Sequence, residues 1–94
     1  MSKAIAFTVS GRVQGVGFRY ATANEARSLQ LSGWVKNQPD GSVAGEAQGT
    51  DDQISRFESF LKRGPASAQV DHLDVHLLSS EKASDLPDGF EIRK

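Results

Sequence analysis

Ninety-four residues make one domain and no more, and a domain of that size buries about 60–65% of the surface its unfolded chain exposes. Hydrophobic residues account for 37% and charged residues for 24%, a balance that argues against disorder. Eleven basic residues face twelve acidic ones, so the formal charge is -1; no overall field draws the protein to nucleic acid or an acidic membrane, and any anion site has to be local.

Ile5, Phe7 and Val9 alternate with Ala6, Thr8 and Ser10, a two-residue period that predicts a strand with one buried face. "GRVQGVGFRY" follows, residues 11–20, with three glycines and two arginines in ten positions. From Phe18 the period lengthens: Phe18, Thr22, Ala26 and Leu29 fall on one helical stripe, which fades near Ser32-Gly33. Gly33 to Asn37 reads as a second strand. Pro39-Asp40-Gly41 is a turn signal, and Ser42 to Gln48 a third strand with Val43 and Ala47 on its core face.

Thr50 and Gln53 have the spacing of a capping box, and Asp51 and Asp52 suit the positive end of a helix dipole. Ile54, Phe57 and Leu61 form the stripe of that second helix, and Lys62-Arg63-Gly64-Pro65 ends it. Val70 to Leu78 predicts a long strand, Ser79 to Gly89 a polar loop, and Phe90-Glu91-Ile92 a short last strand. The order is β-α-β-β-α-β with a terminal addition. It predicts an α+β, ferredoxin-like split β-α-β fold, with two helices on one face of a largely antiparallel sheet, and residues 1–94 as a single domain.

The glycine-rich stretch lies between a strand and a helix. A helix start has unpaired N–H groups and a partial positive charge, and therefore attracts anions. Gly15 and Gly17 let the backbone come close to a ligand, and successive N–H groups in such a turn form a concave nest. Arg19 adds a full charge and a planar fork of donors that matches phosphate oxygens. This is not a nucleotide P-loop, because the Lys-Ser/Thr pair is missing. Nor is it a dinucleotide fingerprint, because the third glycine is missing from Gly15-Val16-Gly17 onward. Read from the residues alone, a plain strand-to-helix connection with a solvated arginine is the commoner outcome, because glycine-rich turns of this kind are frequent, and Arg12 reads as a solvated cation that at most steers anions.

"GRVQGVGFRY" followed by "GWVKNQPDGSV", and then by "FLKRGPASAQV" and "FEIR", resembles the acylphosphatase family over almost the whole chain. The resemblance implies the ferredoxin-like fold and hydrolysis of the carboxyl–phosphate bond of acyl phosphates without metal or cofactor. It implies a phosphate cradle at Gln14, Gly15, Val16, Gly17, Phe18 and Arg19, with Arg19 as the phosphate-binding arginine. It makes Asn37 the residue that orients the attacking water; from its position alone, Asn37 reads first as a cap of the following turn. One departure stands out: many relatives have glycine where this chain has Gln30, a difference that bears on the helix end more than on chemistry.

The implied substrate is a small-molecule acyl phosphate, with inorganic phosphate as product and competitive inhibitor. Acylphosphatase-like domains also open hydrogenase-maturation proteins, where they act on carbamoyl phosphate; a chain ending at Lys94 without a partner domain points to the free enzyme. A module that binds the anion without turnover is the alternative. An RNA-binding reading is disfavoured, because Ser42–Gln48 has no aromatic residue on which a base could stack.

With no cysteine there is no disulfide framework, thiolate nucleophile or cysteine-based zinc site. His72, Asp74 and His76 alternate on one strand face opposite Leu73, Val75 and Leu77; a solvated sheet face is expected there rather than a metal site. Trp34 is expected to anchor the sheet. Neither a secretory h-region behind Met1-Ser2-Lys3 nor an apolar run of membrane-spanning length is present, so the expected compartment is the cytoplasm. No apolar surface stripe is evident, and a monomer is expected.

Overall fold

In a computed structural model, which describes residues 2–94, the chain forms β1 (Ser2–Arg12), α1 (Phe18–Ser28), β2 (Ser32–Asn37), β3 (Val43–Thr50), α2 (Asp51–Arg63), β4 (Gln69–Leu77), α3 (Ser80–Ala83) and β5 (Phe90–Arg93). Met1, and with it the first residue of the leader reading, lies outside the described residues. The five strands form one sheet in the order β4-β1-β3-β2-β5; β5 runs parallel to β2 and the other pairings are antiparallel. The α+β, ferredoxin-like arrangement expected from the sequence is the one observed, with β5 added at one edge.

The two-residue period of β1 decides where the core lies. Ile5, Phe7 and Val9 are buried and pack with Val35, Val43 and Ala47 from the neighbouring strands. α1 and α2 cover that face with Phe18, Ala23, Ala26, Ile54, Phe57 and Leu61. Phe57 is central, meeting Phe7 and Phe90 edge-on at ring-centroid distances of 5.4 and 5.9 Å. Gly45 makes this packing possible: a Cβ there would sit 2.5 Å from Cζ of Phe7.

The helix ends follow from local chemistry. Thr50 and Gln53 close the start of α2 with a reciprocal capping box. α1 stops at Ser28, earlier than its fading signal suggested. Its end is a Schellman turn, with Leu31 N–H bonded to the Ala26 carbonyl and Gln30 N–H to that of Arg27. The left-handed position of this turn, φ 60°, is occupied by Gln30. A side chain there costs about 1 kcal/mol or more, part of which glycine returns through its greater freedom in the unfolded chain. Gln30→Gly is therefore expected to stabilise the protein by about 0.5–1 kcal/mol, read as a higher urea midpoint at unchanged m. An unchanged or lower midpoint would mean that the glutamine side chain itself stabilises the turn.

Two expectations need correction. The segment Ser79–Gly89 is not all loop: Ser79 caps the short helix α3 by accepting from Lys82 N–H, and Ala83 is buried beneath it. Leu77 shares the register of buried Ile5 but is 74% exposed, because it stands at the end of an edge strand where nothing covers it.

Candidate active site

The loop between β1 and α1 bends through Gly15 and Gly17, both at φ 76°, with open space where a Cβ would project. Gly17 is the N-cap residue of α1, and no side chain caps this helix. The first turn of α1 contains no acidic residue, whereas that of α2 contains Asp51 and Asp52. The N–H of Ala21 bonds the Gly17 carbonyl at 2.9 Å as the first rung of α1, and the N–H groups ahead of it in the first turn have no partner within the helix. One long helix thus has its positive end closed by its own residues. The other is left open toward a cavity, and an anion is the natural complement.

That cavity has a volume of about 220 Å³ and is lined by Val13, Gly15, Gly17, Phe18, Arg19, Tyr20 and Asn37. The fold therefore brings together Arg19 and Asn37, eighteen positions apart in the chain. Register explains how. Asn37 and Val35 lie on the same face of β2, and Asn37 pairs with Val43, which in turn pairs with Val9 of β1. The Asn37 side chain thus leaves the sheet on the helix-covered side, at the end next to the start of α1.

Asn37 is not needed to cap the turn that follows it. Asp40 does that: its Oδ1 accepts from the Ser42 N–H at 2.9 Å and from the Ser42 hydroxyl at 2.6 Å. These bonds, the hydroxyl's first, hold the Asp40 carboxyl below its ordinary pKa.

Arg19 is half-buried and donates from Nη1 to the carbonyl of Arg93 at 2.8 Å. The end of β5 thus fixes one arm of the guanidinium fork. Arg93 is itself stacked over Trp34, its guanidinium carbon 5.1 Å from the ring, and the indole N–H donates to Glu46 at 2.9 Å. Trp34 does anchor the sheet, as expected, and it holds the strand end on which Arg19 rests.

The remaining cradle residues take different places. Gln14 does not line the cavity. Its Nε2 donates to the carbonyls of Gln38 (2.7 Å) and Ser42 (2.8 Å), tying the loop to the β2–β3 turn just beyond Asn37. Val16 packs against the core instead, and its carbonyl accepts from the Ser67 hydroxyl at 3.0 Å. Phe18 is buried and forms the floor. Val13 and Tyr20 line the cavity but were not among the residues singled out from sequence; nothing in the local pattern marks them. Arg12 is exposed and does not line the cavity.

His72, Asp74 and His76 lie on the far face of the sheet, in register with Ser10, Thr8 and Ala6. His72 Nε2 lies 3.0 Å from Asp74 Oδ1 in an exposed pair, and among the described residues no three His, Asp or Glu side chains are arranged to hold a metal ion.

A family model for acylphosphatases matches residues 5–92. The chain belongs to the acylphosphatase family. An acylphosphatase of Nitratidesulfovibrio vulgaris is 46% identical over 87 residues, covering 93% of this chain and 86% of that protein. The crystal structure of an acylphosphatase from Bacillus subtilis superposes over the full length of both chains, with a TM-score of 0.90 and 35% identity. A full-length HypF structure, in a phosphate- and nucleotide-bound form, matches this whole chain with only 12% of its own, at a TM-score of 0.83 and 25% identity. As an acylphosphatase, the protein hydrolyses acyl phosphates to a carboxylate and inorganic phosphate. Among the described residues, no helix is long and apolar enough to cross a membrane.

Proposed function

We propose that the backbone N–H groups of the Gln14–Phe18 loop and the Arg19 guanidinium hold the phosphoryl group of the substrate, and that Asn37 positions the attacking water. The observation that carries this reading is the uncapped start of α1, open to the same cavity that Arg19 and Asn37 line. Phosphoryl transfer asks mainly for positioning and for stabilisation of charge on the transferred group, and the amides and Arg19 supply both.

The leaving group is a carboxylate, whose conjugate acid has a pKa of about 4, so it departs without a general acid. Neither histidine is near the cavity, and none is needed. The Asn37 amide has an acceptor and two donors; it holds a water through one and meets a developing oxyanion through the other. Gln14 and Ser67 brace the loop from either side, and the Arg93 carbonyl orients Arg19.

The reaction on this reading needs no metal or cofactor, and residues 1–94 act as one domain around a continuous core. A cytoplasmic setting fits a chain without cysteine, and a monomer is the simplest arrangement for one domain with its own core.

The test is hydrolysis of benzoyl phosphate with and without a chelator, with inorganic phosphate as inhibitor. Turnover is expected to survive the chelator. Phosphate is expected to compete with substrate, less effectively as salt rises, because charge drives its binding. Activity abolished by chelator and restored by a divalent ion would overturn the proposal, and non-competitive inhibition would put the phosphate site elsewhere.

A further inference from the structure

We infer that Tyr20 forms the acyl side of the substrate site and biases this enzyme toward acyl phosphates whose acyl group is aromatic. The inference rests on the reading that Arg19 and the loop hold the phosphoryl group.

Among the described residues, two large hydrophobic side chains are exposed, Tyr20 at 63% and Leu77 at 74%. Leu77 is at the end of an edge strand, away from the cavity; Tyr20 lines it. On α1 the inward stripe is Phe18, Thr22, Ala23 and Ala26, and Tyr20 is turned away from it. The ring therefore adds nothing to the core, and it stands beside the residue proposed to bind phosphate.

The geometry of the substrate completes the argument. The loop amides and Arg19 address the non-bridging phosphoryl oxygens. The bridging oxygen and the acyl group must then point outward, past the rim of the cavity. Val13 and Phe18 are each about 1% exposed, so they close the cavity from behind and offer an acyl group almost no surface. Tyr20 is the large hydrophobic residue of the lining that stays exposed, at 63%. An aromatic acyl group can lie offset or edge-on against its ring, whereas an acetyl group is too small to cover it.

The experiment compares kcat/KM for benzoyl phosphate and acetyl phosphate in the wild type, Tyr20→Ala and Tyr20→Phe. The readout is the ratio of the two values on one preparation, which is independent of the fraction of protein folded. The benzoyl-to-acetyl ratio is expected to fall about fivefold in Tyr20→Ala and to stay within about twofold of wild type in Tyr20→Phe, which keeps the ring. An unmoved ratio in Tyr20→Ala overturns the inference while leaving the phosphate site standing. A fall in Tyr20→Phe as large as in Tyr20→Ala also overturns it, because the hydroxyl and not the ring would then be responsible. A wild type that hydrolyses neither compound overturns the underlying reading and this one with it.

Discussion

Asn37→Ala is expected to lower kcat about 100- to 1000-fold, the usual effect of removing one polar group that stabilises a transition state. Phosphate binding should change little. The separation follows from the role: a residue that holds water and meets charge only as it develops contributes to the transition state and not to the ground state. The fold gives no reason for a stability defect. Asn37 is the last residue of β2, the following turn is capped by Asp40, and the β2–β3 hydrogen bonds are made by backbone atoms that alanine retains. The measurements are steady-state kinetics, phosphate inhibition and a denaturation curve on the same preparation. A folded variant with near-normal turnover would remove Asn37 from the mechanism.

Arg19→Lys separates two uses of positive charge. A site that needs only a charge keeps most of its activity with lysine. A site that needs a planar fork does not, because an ammonium is a compact, strongly hydrated point charge that cannot meet two phosphate oxygens in a fixed geometry. The structure favours the fork. One arm is already fixed by the Arg93 carbonyl at 2.8 Å, and on the proposed reading the loop amides determine where the phosphoryl oxygens lie. A lysine that bonded the same carbonyl would have its whole charge drawn to that point. A displacement of about 1 Å at such a site reduces the rate on the order of 100-fold. Arg19→Lys is therefore expected to lose at least about 100-fold in kcat/KM and to bind phosphate weakly, with circular dichroism unchanged. A well-folded lysine variant within a few-fold of wild type would show that charge alone suffices.

How much of this was legible before the structure depends on the range of the interaction. Ile5, Phe7 and Val9 announced their strand through alternation with their neighbours, and Thr50 and Gln53 announced the start of α2 across three residues. The glycines at 15 and 17, followed by Arg19, marked the candidate anion site because a helix start and a fork of donors are both local features. Resemblance to a family then pointed to Asn37, which position alone left open between catalysis and turn capping.

Other features were hidden for the same reason in reverse. Ser79 carried a cap signal for α3 in an otherwise polar stretch, where one helical turn is too short to establish a period. Leu77 continued the apolar alternation of β4, but alternation predicts only a face; whether a helix lies over that face depends on segments far away in sequence.

The sequence by itself determined the strands, the two long helices and their order, and it marked the residues proposed to bind an anion, because strand and helix periods, caps and glycine turns act over a few residues. Only the tertiary structure decided that Asn37 faces the start of α1, that the Gln14 side chain braces the loop against the β2–β3 turn, that the Arg93 carbonyl orients Arg19, and that Tyr20 lines the cavity. These depend on strand register and on hydrogen bonds spanning 24 to 74 positions, whose partners no local pattern names. They exist only once burial of the shared core has brought the sheet edges and the helix start into contact.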